Sequence, residues 1–139
     1  MKQLSPKDAE SYGIRTAHHE MDNGELRFRL TSERGSSYIL TQSTAKNGWQ
    51  NAHVHYRKNE FYLVEKGSVL IARLVDGELK IDKLEKHDSL HIPPNIPHNV
   101  LMSEGAILHT VKYGTRDEDW NSCPELDRLL CGVDILSLR

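Results

Sequence analysis

Three histidines and one glutamate stand at spacings that can build a metal site. His53 and His55 are separated by one residue, so in a strand their imidazoles project from the same face. Glu60 follows five residues after His55, and a turn over residues 56–59 would bring its carboxylate back beside the pair. His98 follows a proline-rich segment that fixes a rigid turn ahead of a further strand. Imidazoles and a carboxylate that converge from separate strands predict a site for a divalent transition metal with open coordination positions.

Three further side chains are candidates for catalytic proton transfer beside such a metal. Tyr62 lies two residues after Glu60 and shares its face of the strand, where it either lines the pocket or packs in the core. His91 and His109 can titrate near neutral pH. Each of them either lines the cavity or faces outward. The alternation of strand residues does not decide between these two orientations, because the proline turn interrupts it. The remaining histidines are expected on the surface: His18, His19 and His87.

Short strands have to position these residues. Runs with apolar or alternating character predict strands at residues 26–30, 37–41, 61–64, 89–92, 99–102 and 106–113. Between residues 68 and 84, two more apolar-rich runs flank Asp76-Gly77, a strong signal for a tight hairpin. Many short strands in one chain favour a sandwich or a barrel.

Helices are predicted only at the two ends. Ser5 and Pro6 are typical of a helix start, and Gly13 is a suitable stop. Near the C-terminus, residues 122–125 fit a capping box in which Ser122 caps the helix. An apolar stripe at Leu126, Leu129 and Leu130 follows. This stripe either closes one face of the barrel or contacts a second chain.

Composition excludes several classes of protein. The 139 residues carry a net charge of −2, which provides no basic field for nucleic acid. No run of 18 apolar residues occurs, and the first residues do not resemble a signal peptide, so we expect a soluble cytoplasmic protein that binds no membrane. Cys123 and Cys131 would lie about 12 Å apart on a helix, too far for a disulfide, and are expected to be reduced.

The spacing of these residues resembles the two motifs of the cupin superfamily. The first motif is matched by Gly48, His53-Val54-His55, Glu60 and Gly67, with one gap shorter by a single residue. The second motif is matched by Pro93 and His98. Three of its positions differ: His87 and Asn95 replace glycines, and Met102 replaces an asparagine. Asn95 can preserve the turn, because asparagine tolerates positive φ.

The resemblance implies an all-β fold, a double-stranded β-helix of the jelly-roll type with short helices at each end. It implies one domain over residues 1–139, with the barrel core at about 26–113 and a helical tail at about 117–139. The implied metal ligands are His53, His55, Glu60 and His98. The metal itself stays open among Fe, Mn, Ni, Co and Zn. Small cupins of this kind often form homodimers, so we expect one here.

The fold leaves the reaction open, because cupins include dioxygenases, isomerases, lyases and binding proteins. Our first hypothesis is a metal-dependent enzyme that acts on a polar, oxygen-rich small molecule such as a sugar or a carboxylate. The alternative is a metal-containing module that binds or senses a small molecule without turnover.

Overall fold

The computed structural model describes residues 1–44 and 48–138. Within these ranges, helix α1 (Pro6–Glu10) precedes the strands, and helix α2 (Pro124–Cys131) and a 3₁₀ helix (Ile135–Leu138) follow them. The strands are β1 (Ile14–Glu20), β2 (Leu26–Ser32), β3 (Ser37–Gln42), β4 (His53–Val54), β5 (Asn59–Lys66), β6 (Val69–Val75), β7 (Glu78–Leu84), β8 (Ser89–Ile92), β9 (His98–Met102), β10 (Ile107–Tyr113) and β11 (Asn121–Ser122). No helix in the described part of the chain is long and apolar enough to cross a membrane.

Two antiparallel sheets face each other, which confirms the predicted all-β fold. The larger sheet has the order β1-β2-β3-β10-β5-β8, and the smaller has the order β11-β4-β9-β6-β7. Their inner faces pack into one apolar core, to which Tyr62 and Val64 contribute from β5 and Ile71 and Val100 from β6 and β9. The ends of the strands in these two sheets carry the candidate ligands.

The strands follow the predicted runs closely. Strand β8 has the predicted bounds, and the other predicted runs lie within or one residue from β2, β3, β5, β9 and β10. The hairpin of β6 and β7 turns at Asp76 and Gly77, both with positive φ, as the Asp-Gly pair requires. Alternating burial along β5 confirms that Glu60 and Tyr62 share the inner face.

Two local predictions differ from the structure. Strand β1 lies in a region for which no strand is predicted, because its residues lack alternating hydrophobicity. It forms by pairing with β2 at the edge of the sheet. The prediction that Ser122 caps a helix is wrong. Ser122 belongs to β11, and α2 begins after Cys123, whose side chain makes no capping hydrogen bond.

Helix α2 covers the outer face of the smaller sheet. Leu126 and Leu130 are buried against Ala52 and Ala72, whereas Leu129 is exposed. Asp127 of the same helix accepts a hydrogen bond from the backbone N–H of Ala52 at 3.0 Å. The helix therefore packs on its own chain and fixes the segment that leads into His53.

Two residues stand where the cupin motif has glycine, and both keep a backbone conformation typical of glycine. Asn95 has φ of 71° and His87 has φ of 73°. The backbone N–H of Asn95 donates to the carbonyl of His55 at 2.7 Å, so this turn braces the ligand segment. The side chain of His87 is exposed, and its left-handed backbone conformation destabilises the folded state by about 1–2 kcal/mol.

We predict that His87→Gly stabilises the protein. Glycine adopts positive φ without strain, so the free energy of unfolding should rise by about 1 kcal/mol after the added freedom of the unfolded chain is subtracted. The midpoint of thermal unfolding, measured by circular dichroism, should rise by about 2–5 °C.

The matched control is Ser89→Gly, two residues away in β8. This residue is exposed and has strand geometry, so glycine should lower the stability by about 0.5–1 kcal/mol. Equal effects of the two substitutions would contradict the assignment of strain to His87.

Candidate metal centre

Four candidate ligands meet between the sheets at one end of the sandwich. His53 in β4 pairs with His98, the first residue of β9, within the smaller sheet. Glu60 projects inward from β5 of the larger sheet, and His55 lies in the connection from β4 to β5. All four residues are buried. The two sheets together position the four predicted side chains in one cluster.

The three imidazoles converge on a single carboxylate oxygen of Glu60. The Nε2 atoms of His53 and His98 each lie 3.1 Å from Oε1 of Glu60. The Nε2 atom of His55 contacts the same oxygen. One ligand atom from each residue lies within 4.8 Å of the others, which is close enough for the cluster to hold one metal ion.

Backbone carbonyls settle which nitrogen of each imidazole carries the proton. The Nδ1 atom of every histidine in the cluster faces a carbonyl oxygen. The pairs are His53 with Asn51 at 3.1 Å, His98 with Ile96 at 2.8 Å, and His55 with Asp119. A carbonyl can only accept, so each Nδ1 donates, and in the neutral ring Nε2 keeps a free lone pair. Orientation by such carbonyls is typical of histidines that bind metals.

This arrangement fits a cation at the centre of the cluster. Three lone pairs and a carboxylate oxygen would repel one another without a positive charge between them. The buried Nε2 of His55 has no hydrogen-bond partner in the described part of the chain, because its contact with Glu60 lacks hydrogen-bond geometry. Imidazole nitrogens and a carboxylate are the donors that divalent transition metals prefer.

The pKa shifts in the cluster favour the forms that bind a metal. Burial lowers the pKa of His53 and outweighs the opposing effect of Glu60, so the neutral ring is favoured. Burial alone would raise the pKa of Glu60. Interactions with the three histidines overcome that effect and hold the pKa of Glu60 well below its ordinary value. Neutral imidazoles and an ionised carboxylate are the states that coordination requires.

Two aromatic residues flank the cluster. Tyr62 donates a hydrogen bond from its hydroxyl to Oε2 of Glu60 at 2.5 Å. Burial, with the neighbouring Glu60 charge, raises the pKa of Tyr62 well above its ordinary value, so the phenol stays protonated. The exposed ring of Trp120 stacks on His53, with ring centroids 5.6 Å apart.

Asp119 organises the loop that contains His55. Its carboxylate accepts hydrogen bonds from three consecutive backbone N–H groups, those of Tyr56, Arg57 and Lys58, at 2.7–3.0 Å. Burial raises the pKa of Asp119, but these hydrogen bonds outweigh it and the pKa falls. Since its carbonyl also faces Nδ1 of His55, one residue fixes both the loop and the ring.

Two cavities adjoin the cluster. The first has a volume of about 410 Å³, and its lining includes His53, Glu60 and Tyr62. The second has a volume of about 530 Å³, and its lining includes His55. Their linings share three residues: Ile39, Lys112 and Trp120. Both volumes suit a small molecule.

His91 and His109 lie on the outer face of the larger sheet. His91 is exposed and hydrogen-bonds Asn59 at 2.8 Å. His109 contacts the Tyr38 hydroxyl at 2.5 Å and Glu65 at 2.9 Å. Their neighbours along β8 and β10 point inward instead, and neither histidine lines the two cavities. The structure therefore brings only Tyr62, of the three proton-transfer candidates, to the cluster.

Several residues of the site were not identified from the sequence. Asp119 and Trp120 lie in an irregular segment with no periodic pattern, so nothing in the sequence connects them to His53 or His55. The position of Lys112 could have been predicted from the alternation along β10. This residue alternates with the inward-facing Leu108 and Thr110 of β10, which places it on the inner face opposite Glu60.

No family model matches the chain, and neither does any curated protein. Solved structures do match. A single-residue variant of oxalate decarboxylase from Bacillus subtilis has a TM-score of 0.62 and 17% identity. The alignment covers 74% of this chain but 28% of that chain, so the present chain spans about a third or less of its length.

Two other similar structures are closer in length. KdgF from Halomonas sp. has a TM-score of 0.57 and 16% identity, with 73% of this chain and 88% of that chain aligned. CENP-C of Drosophila melanogaster, solved bound to CAL1, has a TM-score of 0.56 and 12% identity, with 70% and 76% aligned. Oxalate decarboxylase and KdgF are cupins. Likeness at these identities concerns the fold, and together with the His/Glu cluster it confirms the resemblance found in the motifs: the chain has the cupin fold.

Proposed function

We propose that this chain is a metal-dependent enzyme of the cupin type. It binds one divalent transition metal through His53, His55, Glu60 and His98, and a polar, oxygen-rich small molecule in the adjoining cavities. The observation that carries the proposal is the convergence of three carbonyl-oriented imidazoles on one buried carboxylate oxygen. Of the similar proteins, the Bacillus subtilis oxalate decarboxylase contains Mn(II) centres, and its example supports a metal of this class.

A metal held here would supply Lewis acidity toward substrate oxygens or, if it were iron, the capacity to bind dioxygen. The chain's own residues have separate tasks. Glu60 keeps its negative charge, and Tyr62 holds the carboxylate in place through its hydroxyl. Because the Tyr62 phenol remains protonated, it serves as a hydrogen-bond donor rather than as a base. Trp120 shields the outer side of His53 from water.

A binding module without turnover is the second candidate. It is favoured by the positions of His91 and His109 on the outer face, which leave Tyr62 as the one proposed proton-transfer group beside the cluster. CENP-C, solved bound to CAL1, is an example of a protein of similar fold that associates with another protein. In such a module the metal would position a ligand without changing it.

We also propose that two chains pair through the outer face of the larger sheet. Strand register places its exposed apolar side chains in adjacent rows: Phe28, Leu30, Phe61, Leu63, Val111 and Tyr113. An exposed apolar patch of this kind can contact its own copy across a two-fold axis. The unpaired thiols of Cys123 and Cys131 support a reducing compartment such as the cytoplasm.

We predict that the purified protein binds about one divalent metal per chain and that His98→Ala abolishes this binding. The substitution removes one of the four donors and one of the three imidazoles that face Glu60. Elemental analysis after incubation with Fe(II), Mn(II), Ni(II), Co(II) or Zn(II) measures the content. His109→Ala, the same change on the outer face, should retain full metal content. If His98→Ala unfolds the chain, Glu60→Gln provides the second test, and a wild-type protein that binds none of these metals contradicts the proposal.

The same proteins distinguish the enzyme from the module. The metal-loaded wild type should consume oxygen or convert one member of a panel of sugar phosphates and 2-keto acids, and Glu60→Gln should lose this activity. Tight binding of a panel member with no product would instead support the binding module.

We predict that Asp119→Ala weakens metal binding by about 10–100-fold, the usual effect of removing a residue that orients a ligand. The substitution frees three backbone N–H groups beside His55 and loosens that loop. Competition with a chelator measures the affinity. Asp117→Ala is the control, because Asp117 is exposed and pairs only with the exposed Arg57. Equal affinities in the two variants would contradict the assigned role of Asp119.

We predict that the chain sediments with twice the mass of one chain at micromolar concentration. Val111→Glu places a charge in the apolar patch and should yield monomers, as measured by analytical ultracentrifugation. Tyr56→Glu alters an exposed aromatic residue outside the patch and should leave the mass unchanged. A monomeric wild type would refute pairing through this face.

A further inference from the structure

The inner face of the larger sheet has an unusual polarity at its β2 end. Along β2, the exposed Phe28 and Leu30 point outward, whereas Arg27, Arg29 and Thr31 point toward the cavities. Sheets of a sandwich usually bury their apolar residues and expose their polar ones. The reversal indicates that this end of the interior is built to hold a polar ligand rather than to pack a core.

Strand register connects this face with the metal centre. Lys112 lies directly opposite Glu60 on the neighbouring strand. Arg29 lies in the adjacent row, three strand spacings from Tyr62 through Ile39 and Thr110. At about 4.8 Å per spacing, roughly 14 Å separates the two ends of that row. The cavities therefore extend from the ligand cluster, beside which Lys112 lies, to Arg29 at the far end.

The charges at that end are unbalanced. Five cationic side chains line the second cavity: Arg15, Arg29, Lys58, Lys112 and Arg116. Among the residues that the structure describes, none of the five forms an ion pair. Three acids share the lining: Glu33, Glu118 and Asp119. Glu33 and Glu118 are exposed, as are Arg15 and Arg116, and the Asp119 carboxylate is committed to backbone N–H groups. The cations of the less exposed part of the lining are therefore Arg29, Lys58 and Lys112.

The cations also lie close enough to repel one another. Burial lowers the pKa of Lys112, and the charges of Lys58, Arg27 and Arg29 lower it further, against the opposing effect of Glu60. The pKa of Arg29 is likewise lowered by burial and then by Arg27. Arg27 has a carboxylate partner, Glu25, at 2.9 Å. In the described part of the chain, Arg29 contacts Nδ1 of His19 at 2.8 Å and pairs with no carboxylate, so its charge remains available.

We propose that the substrate is an anion, a polyhydroxylated carboxylate or phosphate ester, whose charged group binds between Arg29 and Lys112. This inference rests on the proposed function, since the opposite end of the molecule would meet the four metal ligands. Hydroxyl-bearing side chains line the space between the two ends and suit the hydroxyls of such a molecule: Thr31, Ser37, Thr41 and Thr110. Neither Arg29 nor Lys112 is one of the four metal ligands. Their role is to recognise the charged group of the substrate.

The experiment compares three probes of similar size by isothermal titration calorimetry. Glucitol is neutral, gluconate carries a carboxylate, and glucitol 6-phosphate carries a phosphate. The Mn(II)-loaded full chain should bind at least one anion ten or more times more tightly than glucitol, and the tighter anion identifies the charged group. Rising salt should weaken the binding of the anion but not of glucitol.

Single substitutions locate the anion site. Arg29→Gln and Lys112→Gln should each weaken anion binding about tenfold or more, because each removes a charged hydrogen-bond donor. Arg29→Lys should retain most of the affinity, which separates loss of charge from loss of fold. Lys80→Gln, the same change of charge on the exposed side of β7, should have no effect. The inference is overturned if neither anion binds more tightly than glucitol, or if Arg29→Gln and Lys112→Gln behave like Lys80→Gln.

Metal analysis of the same samples keeps this result separate from the proposed function. Anion binding that is lost in Arg29→Gln, in a chain that binds no metal, would uphold the cationic site and reject the metal centre. Full metal content without any preference for anions would reject the cationic site alone.

Discussion

Repulsion among the three Nε2 lone pairs and the Glu60 carboxylate is the constraint on which this structure depends. Carbonyl groups lock each ring so that Nε2 faces inward, and the rings cannot turn away without losing those hydrogen bonds. The surrounding elements maintain this geometry. Asp119 holds the His55 loop, the turn at Asn95 braces it from the other side, and helix α2 fixes the segment before His53. A positive charge at the centre would turn this costly arrangement into a stable one.

Much of this geometry could be predicted because it depends on short-range rules. The strand period of two places Glu60 with Tyr62 in β5 and predicts the proximity of His53 and His55, although His55 lies just after β4. Asp76-Gly77 specifies its hairpin because few other residue pairs accept positive φ twice in succession. The tolerance of asparagine for the left-handed conformation likewise accounts for the turn at Asn95.

The features that could not be predicted depend on contacts between distant parts of the chain. His91 and His109 have the residue type of a proton-transfer group, but the phase of their strands across the proline turn decides which face they occupy. Asp119 acts through backbone groups some sixty residues away, and those groups leave no pattern in the sequence. Strand β1 forms because β2 offers it a hydrogen-bonding edge rather than because its residues are apolar.

The metal donors and the cavity lining come from different parts of the sequence, and this has an evolutionary consequence. The donors that define the centre come from the middle of the sequence, between His53 and His98. The lining of the second cavity also includes residues from the flanks: Arg15 and Arg29 before that stretch, Lys112 and Trp120 after it. The segments before His53 can therefore diverge more freely than the last segment, where Asp119 and helix α2 hold the donors in place. Proteins that share these motifs can acquire different ligand preferences through drift in their first segments, so motif identity alone is a poor guide to what each of them binds.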